Sequence, residues 1–384
     1  MKPNVYRPSD RARRVGHRMI CVCTLAATSC FTSLEFTSAE DKQPQPQYEA
    51  GTIVVPPASE EEPTRETFSP ELADQHLTDG ALAWSESHKC VSCHTNGSYL
   101  AVRAALTPQL GPPPEKLREF FVKEVSQLAG KGIDAVRTGA NGTATAYVAL
   151  GLAEWDAHVL GHRSAETDKA LQLMFSAQLD DGSWSNADCW PPLESSPFHG
   201  AVMAALAVST APGWRDEVQD EQTGAQVERL IEYLRTTELP HDYARVLLLW
   251  AATRMPDLID ESRQSELIDT VWKHQRADGG WSMRTFAEPE QWGQGNRTKR
   301  LLRESDRADP PSDGHMTGLA ILVLRDAGIP SEDKRIQQGV AWLLANQRDS
   351  GRWWARSLNT NTFHYITFSS TAYALSALAK CGAF

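Results

Sequence analysis

The sequence predicts an all-α protein, an α6/α6 toroid of helical hairpins preceded by a signal peptide and a disordered linker. Two observations point to the toroid: the pattern Gln-x-x-x-Gly-x-Trp occurs three times, and amphipathic helices alternate with apolar helices rich in small residues. The leader and linker follow from a third, a change of composition near residue 68.

The 384 residues are 41% hydrophobic and 23% charged, a globular balance that supplies one large core. The net charge is −11 at pH 7. Nucleic acids and anionic membranes attract basic surfaces, so neither is expected as a partner. Beyond residue 40 no apolar run reaches the ~20 residues of a membrane-spanning helix, and no transmembrane anchor is expected in the mature chain.

Residues 1–39 have the order of a secretory signal peptide. Arg11, Arg13, Arg14 and Arg18 precede the apolar stretch 19–31, and Thr37-Ser38-Ala39 follows. Export to the periplasm or the medium is expected. Ala27-Thr28-Ser29-Cys30 resembles a lipoprotein cleavage site without its usual Leu, which makes Cys30 a candidate for lipidation. Residues 40–67 are rich in Pro, Glu and Gln and have little to bury, so they read as an extended or disordered linker. The toroid domain is assigned to 68–384.

The repeated loops are Gln178 to Trp184 with Gly182, Gln275 to Trp281 with Gly279, and Gln347 to Trp353 with Gly351. Each follows an amphipathic helix; in the last copy Ile336, Val340, Leu343 and Leu344 recur at helical spacing. Each precedes a helix rich in Ala, Gly, Ser and Thr, at 199–209, 316–327 and 370–379. Small side chains let helices approach closely, as the inner staves of a ring must. The same alternation fits 70–87 with 98–106, 115–128 with 142–155, and 225–236 with 242–254. That makes six hairpins, enough to close around a central cavity. An open superhelix of the same units is the structural alternative.

Over about residues 110–384 these segments resemble the repeat motif of squalene-hopene cyclases, oxidosqualene cyclases and protein prenyltransferase β subunits. The resemblance implies a terpenoid-cyclase-like toroid and a structural role for the loops. Gln would end the outer helix and bond the next turn, Gly would permit that turn, and Trp would stack on Gln. A shared fold does not carry a function with it.

In the first hairpin the loop signature is replaced by Lys89-Cys90-Val-Ser-Cys93-His94-Thr-Asn-Gly97. Cys-x-x-Cys-His is the attachment pattern of haem c. Two thiols three residues apart can bond both vinyl groups of one haem, and the adjacent His can ligate its iron axially. Cys90, Cys93 and His94 are therefore the expected cofactor site. A disulfide or redox pair competes in an oxidising compartment, as does a sequence with no chemistry at all. A zinc site would need further ligands, and Cys189 and Cys381 lie far away in sequence; zinc is not expected. His199, His315, His364, Met203 and Met316 are candidates for a distal haem ligand, each also readable as a core residue.

Terpene chemistry lacks its acid. The Asp-x-Asp-Asp and Asp-Cys-x-x-Glu motifs of the two cyclase families are missing from suitable places: Asp180-Asp181 sits in a repeat loop, and Asp188-Cys189-Trp-Pro-Pro lacks the following acid. Asn141-Gly142-Thr143-Ala144, where an acid motif would open an inner helix, cannot protonate an alkene. Asp313-Gly-His315 stands where the prenyltransferases hold part of their zinc, but Ser369-Ser370 replaces the expected His. Asp313 and His315 are the only catalytic candidates, and each also reads as a helix cap and a wall residue. Exported glycan-active enzymes use such rings too; Asp242, Tyr243, Arg245, Asp313 and His315 would then be cavity residues, with Trp190, Phe198, Trp354 and Tyr365 on nearby loops. The segment 283–311, with Arg297, Lys299, Arg300 and Arg303, is either a cap over a site or a solvated loop. The expectation is an exported haem c toroid in electron transfer, sensing or ligand binding, with a redox partner or small apolar ligand. An isoprenoid-active enzyme is the alternative, and a glycan-active enzyme or non-catalytic scaffold the third.

Overall fold

Burial sorts the helices of the computed structural model into two kinds that alternate along the chain. The structure describes residues 45–384 apart from 187–189, 194–195 and 219. Among them, twelve helices of eight residues or more form six pairs: α1 (Pro70–Ser87) with α2 (Asn96–Arg103), α3 (Glu115–Gly130) with α4 (Asn141–Trp155), α5 (Ala165–Ser176) with α6 (Pro197–Thr210), α7 (Glu221–Thr236) with α8 (Asp242–Arg254), α9 (Glu261–Lys273) with α10 (Gly314–Asp326), and α11 (Lys334–Ala345) with α12 (Ile366–Lys380). The first of each pair buries one stripe; α7 buries only Leu230, Ile231 and Leu234. The second is buried almost all round, as α4 is.

The all-round burial of the even-numbered helices follows from their place. Each packs on the next even helix, and α12 packs back on α2, so the inner ring closes and the odd helices lie outside it. The fold is therefore the α6/α6 toroid, not the open superhelix.

The Gln-x-x-x-Gly-x-Trp loops are the fasteners between neighbouring outer helices. Gln178 Nε2 donates to the Gly182 carbonyl at 3.2 Å and to Gln226 of α7 at 3.0 Å. Gln275 bonds Gly279 and Arg335 of α11 in the same way, at 2.9 and 2.8 Å. Gln347 reaches across the closure: its Nε2 donates to the Ser69 carbonyl and its Oε1 accepts from the Ser69 amide, both at 2.8 Å. Each Trp indole N–H donates at 2.8 Å to the outer helix behind it, to Met174, Val271 and Leu343 respectively. The indole is thus anchored by that carbonyl, and Gln178 with Trp184 and Gln347 with Trp353 also form isolated backbone bridges. Gly351 has φ +90, and a Cβ there would overlap the backbone of Leu72 in α1. Its missing side chain is what lets the last hairpin touch the first.

Residues 45–67, expected as a disordered linker, are ordered against the ring. Strands β1 (Tyr48–Ala50) and β2 (Ile53–Val55) form an antiparallel hairpin that packs on α1. Beyond it the chain supplies acceptors to the last hairpin: Arg352 Nε contacts Glu62 at 2.6 Å, and its Nη groups donate to the Pro56 and Pro57 carbonyls at 3.1 and 2.9 Å. Polar, Pro-rich composition concealed this because the segment is held by its own carbonyls, by Glu62 and by a few buried side chains, Tyr48 and Val55 the largest apolar ones. The expected signal peptide and Cys30 lie outside the described residues. No helix among the described residues is long and apolar enough to cross a membrane.

Candidate functional site

The Cys-x-x-Cys-His loop joins α1 to α2 and is shaped by Asn96, the first residue of α2. Asn96 Oδ1 accepts from the Ser92 amide at 2.8 Å, while its Nδ2 donates to Ser85 Oγ at 3.0 Å and to the Cys90 carbonyl at 3.1 Å. Trp84 of α1 donates its indole N–H to the same carbonyl at 3.0 Å. A short loop whose orphan backbone groups are satisfied by one buried amide has little freedom. It leaves Cys90 exposed and turns Cys93 inward, 3% exposed.

His94 is enclosed by aromatic rings. Trp84 meets it edge-on at 4.9 Å, and Tyr365, from the loop before α12, stacks on it at 4.9 Å. Its Nδ1 is hydrogen bonded to Thr95 Oγ1 at 2.8 Å, and the same hydroxyl bonds the Tyr48 hydroxyl of β1 at 2.8 Å. Burial, with a smaller contribution from His88, pulls the His94 pKa down to about 3, so the ring is neutral at physiological pH. A neutral imidazole anchored at Nδ1 is what a metal ligand needs. Trp190 and Phe363, 37% and 43% exposed, also lie against Tyr365, at 6.0 and 5.5 Å.

Behind the two cysteines is a pocket of about 210 Å³ lined by Val91, Leu128, Tyr147 and the buried Glu124, among others. Burial raises the Glu124 carboxyl, and its Oε1 has no hydrogen-bond partner among the described residues.

Deeper in the ring, two Tyr–His pairs fill the inner wall. Tyr147 of α4 bonds His199 Nε2 of α6 at 2.8 Å; Tyr243 of α8 bonds His315 Nε2 of α10 at 3.0 Å, and His315 Nδ1 bonds Ser369 of α12 at 3.0 Å. Burial holds both imidazoles at about 3. Met203 and Met316 are core residues, and His364 Nδ1 accepts from the Ser357 amide at 3.1 Å.

The structure does not bring Asp313 and His315 together as a metal site. Asp313 caps α10: its Oδ1 accepts from the Met316 amide at 2.8 Å and its Oδ2 from the Met283 amide at 2.6 Å. Both carboxylate oxygens and both imidazole nitrogens are engaged, and no cluster of three or more His, Cys, Asp or Glu able to hold a metal occurs among the described residues. The glycan candidates are engaged with one another or with neighbours: Asp242 pairs with Arg245 at 2.9 Å and with His274 at 2.7 Å, while the buried Tyr243 bonds His315. Asn141, Thr143 and Ala144 border the cysteine pocket. Asp188 and Cys189 lie outside the described residues.

The insertion after α9 folds over this end of the ring. Its Trp292 is buried at 5.5 Å from Tyr243 and 5.1 Å from His241. Arg284 pairs with Glu304 and Asp306 at 2.7 and 2.6 Å, and Arg300 with Glu304 at 2.9 Å. Much of its positive charge is therefore matched within the insertion itself.

Tyr48, Thr95 and Glu124 were not among the residues predicted from sequence. Thr95 directly follows the motif. For Tyr48 the available signal was the turn-forming Gly51-Thr52 between Tyr48-Glu-Ala and Ile53-Val-Val, which reads as a hairpin.

No family model matches the chain, and no curated protein matches it. Among solved structures it is similar to the type II terpene cyclase MstE from Scytonema in its apo form, with a TM-score of 0.42 and 12% identity over 80% of this chain and 99% of that one. A variant of that cyclase in complex with its substrate, geranylgeranyl dihydroxybenzoate, gives a TM-score of 0.43 and 12% identity over 82% and 99%. The closed inner ring itself is what establishes the fold here.

Proposed function

We propose that this chain is an exported haem c protein on a toroidal scaffold, acting in electron transfer, sensing or ligand binding, with Cys90, Cys93 and His94 as its cofactor site. The observation that carries the reading is His94: a neutral imidazole, anchored at Nδ1 and following two thiols at the attachment spacing. Each thiol would add its S–H across one vinyl group, forming a thioether with no leaving group, and His94 Nε2 would ligate the iron. When bound, haem supplies one-electron chemistry or a ligand site at its iron.

The donor set fits this group. The pocket beside it is smaller than the roughly 300–1,000 Å³ of pockets that enclose drug-sized ligands, and Cys93 is buried. Attachment at Cys93 therefore belongs to a state in which the loop is still open. The test is an absorption spectrum of the full chain expressed with a haem c maturation system. A Soret band that survives acid-acetone extraction in the wild type, and covalent attachment that is abolished in Cys93→Ala, are expected. Colourless protein would end the reading.

One observation favours a dithiol redox pair as the second reading: Cys90 is exposed and Cys93 buried, the asymmetry of an attacking and a resolving thiol. Thiol quantification of colourless protein before and after reduction decides it, since two extra thiols must appear on reduction.

A further inference from the structure

The strand β1 was unforeseen, and it ends its main polar contact at the cofactor loop. Tyr48 is 3% exposed and its ring stacks on Tyr365 at 5.7 Å, the same Tyr365 that covers His94. Its hydroxyl meets Thr95 Oγ1, and Thr95 Oγ1 meets His94 Nδ1, each at 2.8 Å. Both hydroxyls are buried and His94 is half-buried, so these groups depend on protein partners: Thr95 lies between His94 and Tyr48, and Tyr48 has Gln47 as a further neighbour. A hydroxyl has one proton to give and can accept as well. The proton order along the three groups therefore determines which nitrogen of His94 carries its hydrogen.

We propose that Thr95 and Tyr48 are positioning residues for His94, a buried relay that fixes the imidazole as a single tautomer and keeps Nδ1 occupied. With iron on Nε2 the relay runs from His94 Nδ1–H to Thr95 Oγ1, and from the Thr95 hydroxyl to the Tyr48 oxygen. This second half rests on the haem reading of Cys90, Cys93 and His94; the locked tautomer does not. A hydrogen-bond acceptor on Nδ1–H makes Nε2 a stronger donor to the metal. Oxidised iron gains more from that than reduced iron, so the relay lowers the reduction potential.

Two measurements test it. In the full chain expressed without haem attachment and labelled with ¹⁵N-histidine, long-range ¹H–¹⁵N spectra of the wild type show His94 as one tautomer; Thr95→Val shows both in exchange, and Thr95→Ser restores one. A Thr95→Val spectrum unchanged from wild type overturns the proposal. Should Thr95→Val fail to fold by circular dichroism, Tyr48→Phe takes its place, and an unshifted tautomer ratio there overturns it equally. In the haem-loaded protein the midpoint potential rises in Thr95→Val and returns in Thr95→Ser. Colourless protein with a locked tautomer removes the haem reading and leaves the relay standing. Coloured protein whose tautomer and potential ignore Thr95→Val removes the relay and leaves the haem.

Discussion

Asn96 shows how much of the site depends on one side chain that does no chemistry. It makes three hydrogen bonds, to Ser92 and Cys90 of the cysteine loop and to Ser85 of α1. Truncating it strands one buried amide and frees two other groups, which costs roughly 2–4 kcal/mol. Asn96→Ala should lower stability by that amount in urea denaturation and expose Cys93 to alkylation in the folded protein; slow alkylation equal to wild type would contradict the role. At this scale the sequence displayed the reactive groups and hid their supports. Cys90, Cys93 and His94 stand together in a recognisable spacing, whereas Tyr48 reaches Thr95 across 47 positions and belongs to no motif. Asp313 and His315, read from sequence both as catalytic candidates and as a helix cap and a wall residue, stand in the structure as cap and wall. A side chain's partners decide its chemistry: the Met316 amide on Asp313 is the one the helix-cap reading expects, and the Met283 amide comes from 30 residues away, beyond any spacing rule.

For the helices the sequence was far more legible. A repeat presents its own alignment, so three copies of one loop located outer and inner helices and let three further hairpins be read without it. The fasteners are more than turns, because each Gln and Gly also touches the next outer helix. Gly351 and Gly328 separate the two duties: both have positive φ, at +90 and +89, but only Gly351 sits against another backbone. Gly328→Ala should cost about 1–2 kcal/mol for the left-handed conformation alone. Gly351→Ala should add roughly 1–3 kcal/mol of overpacking. Equal losses in chemical denaturation would mean that the contact with Leu72 contributes nothing. The hairpin of β1 and β2 was missed because its strands have only three residues each, too few for alternation to rise above a polar, Pro-rich background.

For the molecule as a whole, closure buries histidines that have no charged partner. His76, His199 and His315 are all held at about 3 by burial. Their folded pKa values lie below the ordinary value, so the stability they contribute is complete above about pH 6.5 and is lost as pH falls toward 3. Between pH 7.5 and 5.5 each costs about 1.4 kcal/mol. Asp313, raised to about 6 by its burial, works in the opposite direction: it takes up its proton in the folded state and returns a little under ~1 kcal/mol over the same interval. His94, also held at about 3, and His241, lowered to about 4, lose as much again each, and the net expectation is a loss of about 6 kcal/mol, measured by urea denaturation at the two pH values. A flat profile would show that these imidazoles take up protons as readily in the folded protein as in the unfolded chain.

The meeting of first and last hairpins also sets an order in time. His94 leaves the ribosome early, and the ring that covers it, Tyr365, comes 271 positions later. At about 5–20 residues per second this is a delay of roughly 15–55 s. Gln347, which clasps Ser69, arrives almost as late. For that interval Cys90, Cys93 and His94 stand in a hairpin with no neighbour on its far side. The chain builds its cysteine loop first and the cover of that loop last, so on the proposed haem reading both thiols stay open to attachment until the last hairpin arrives.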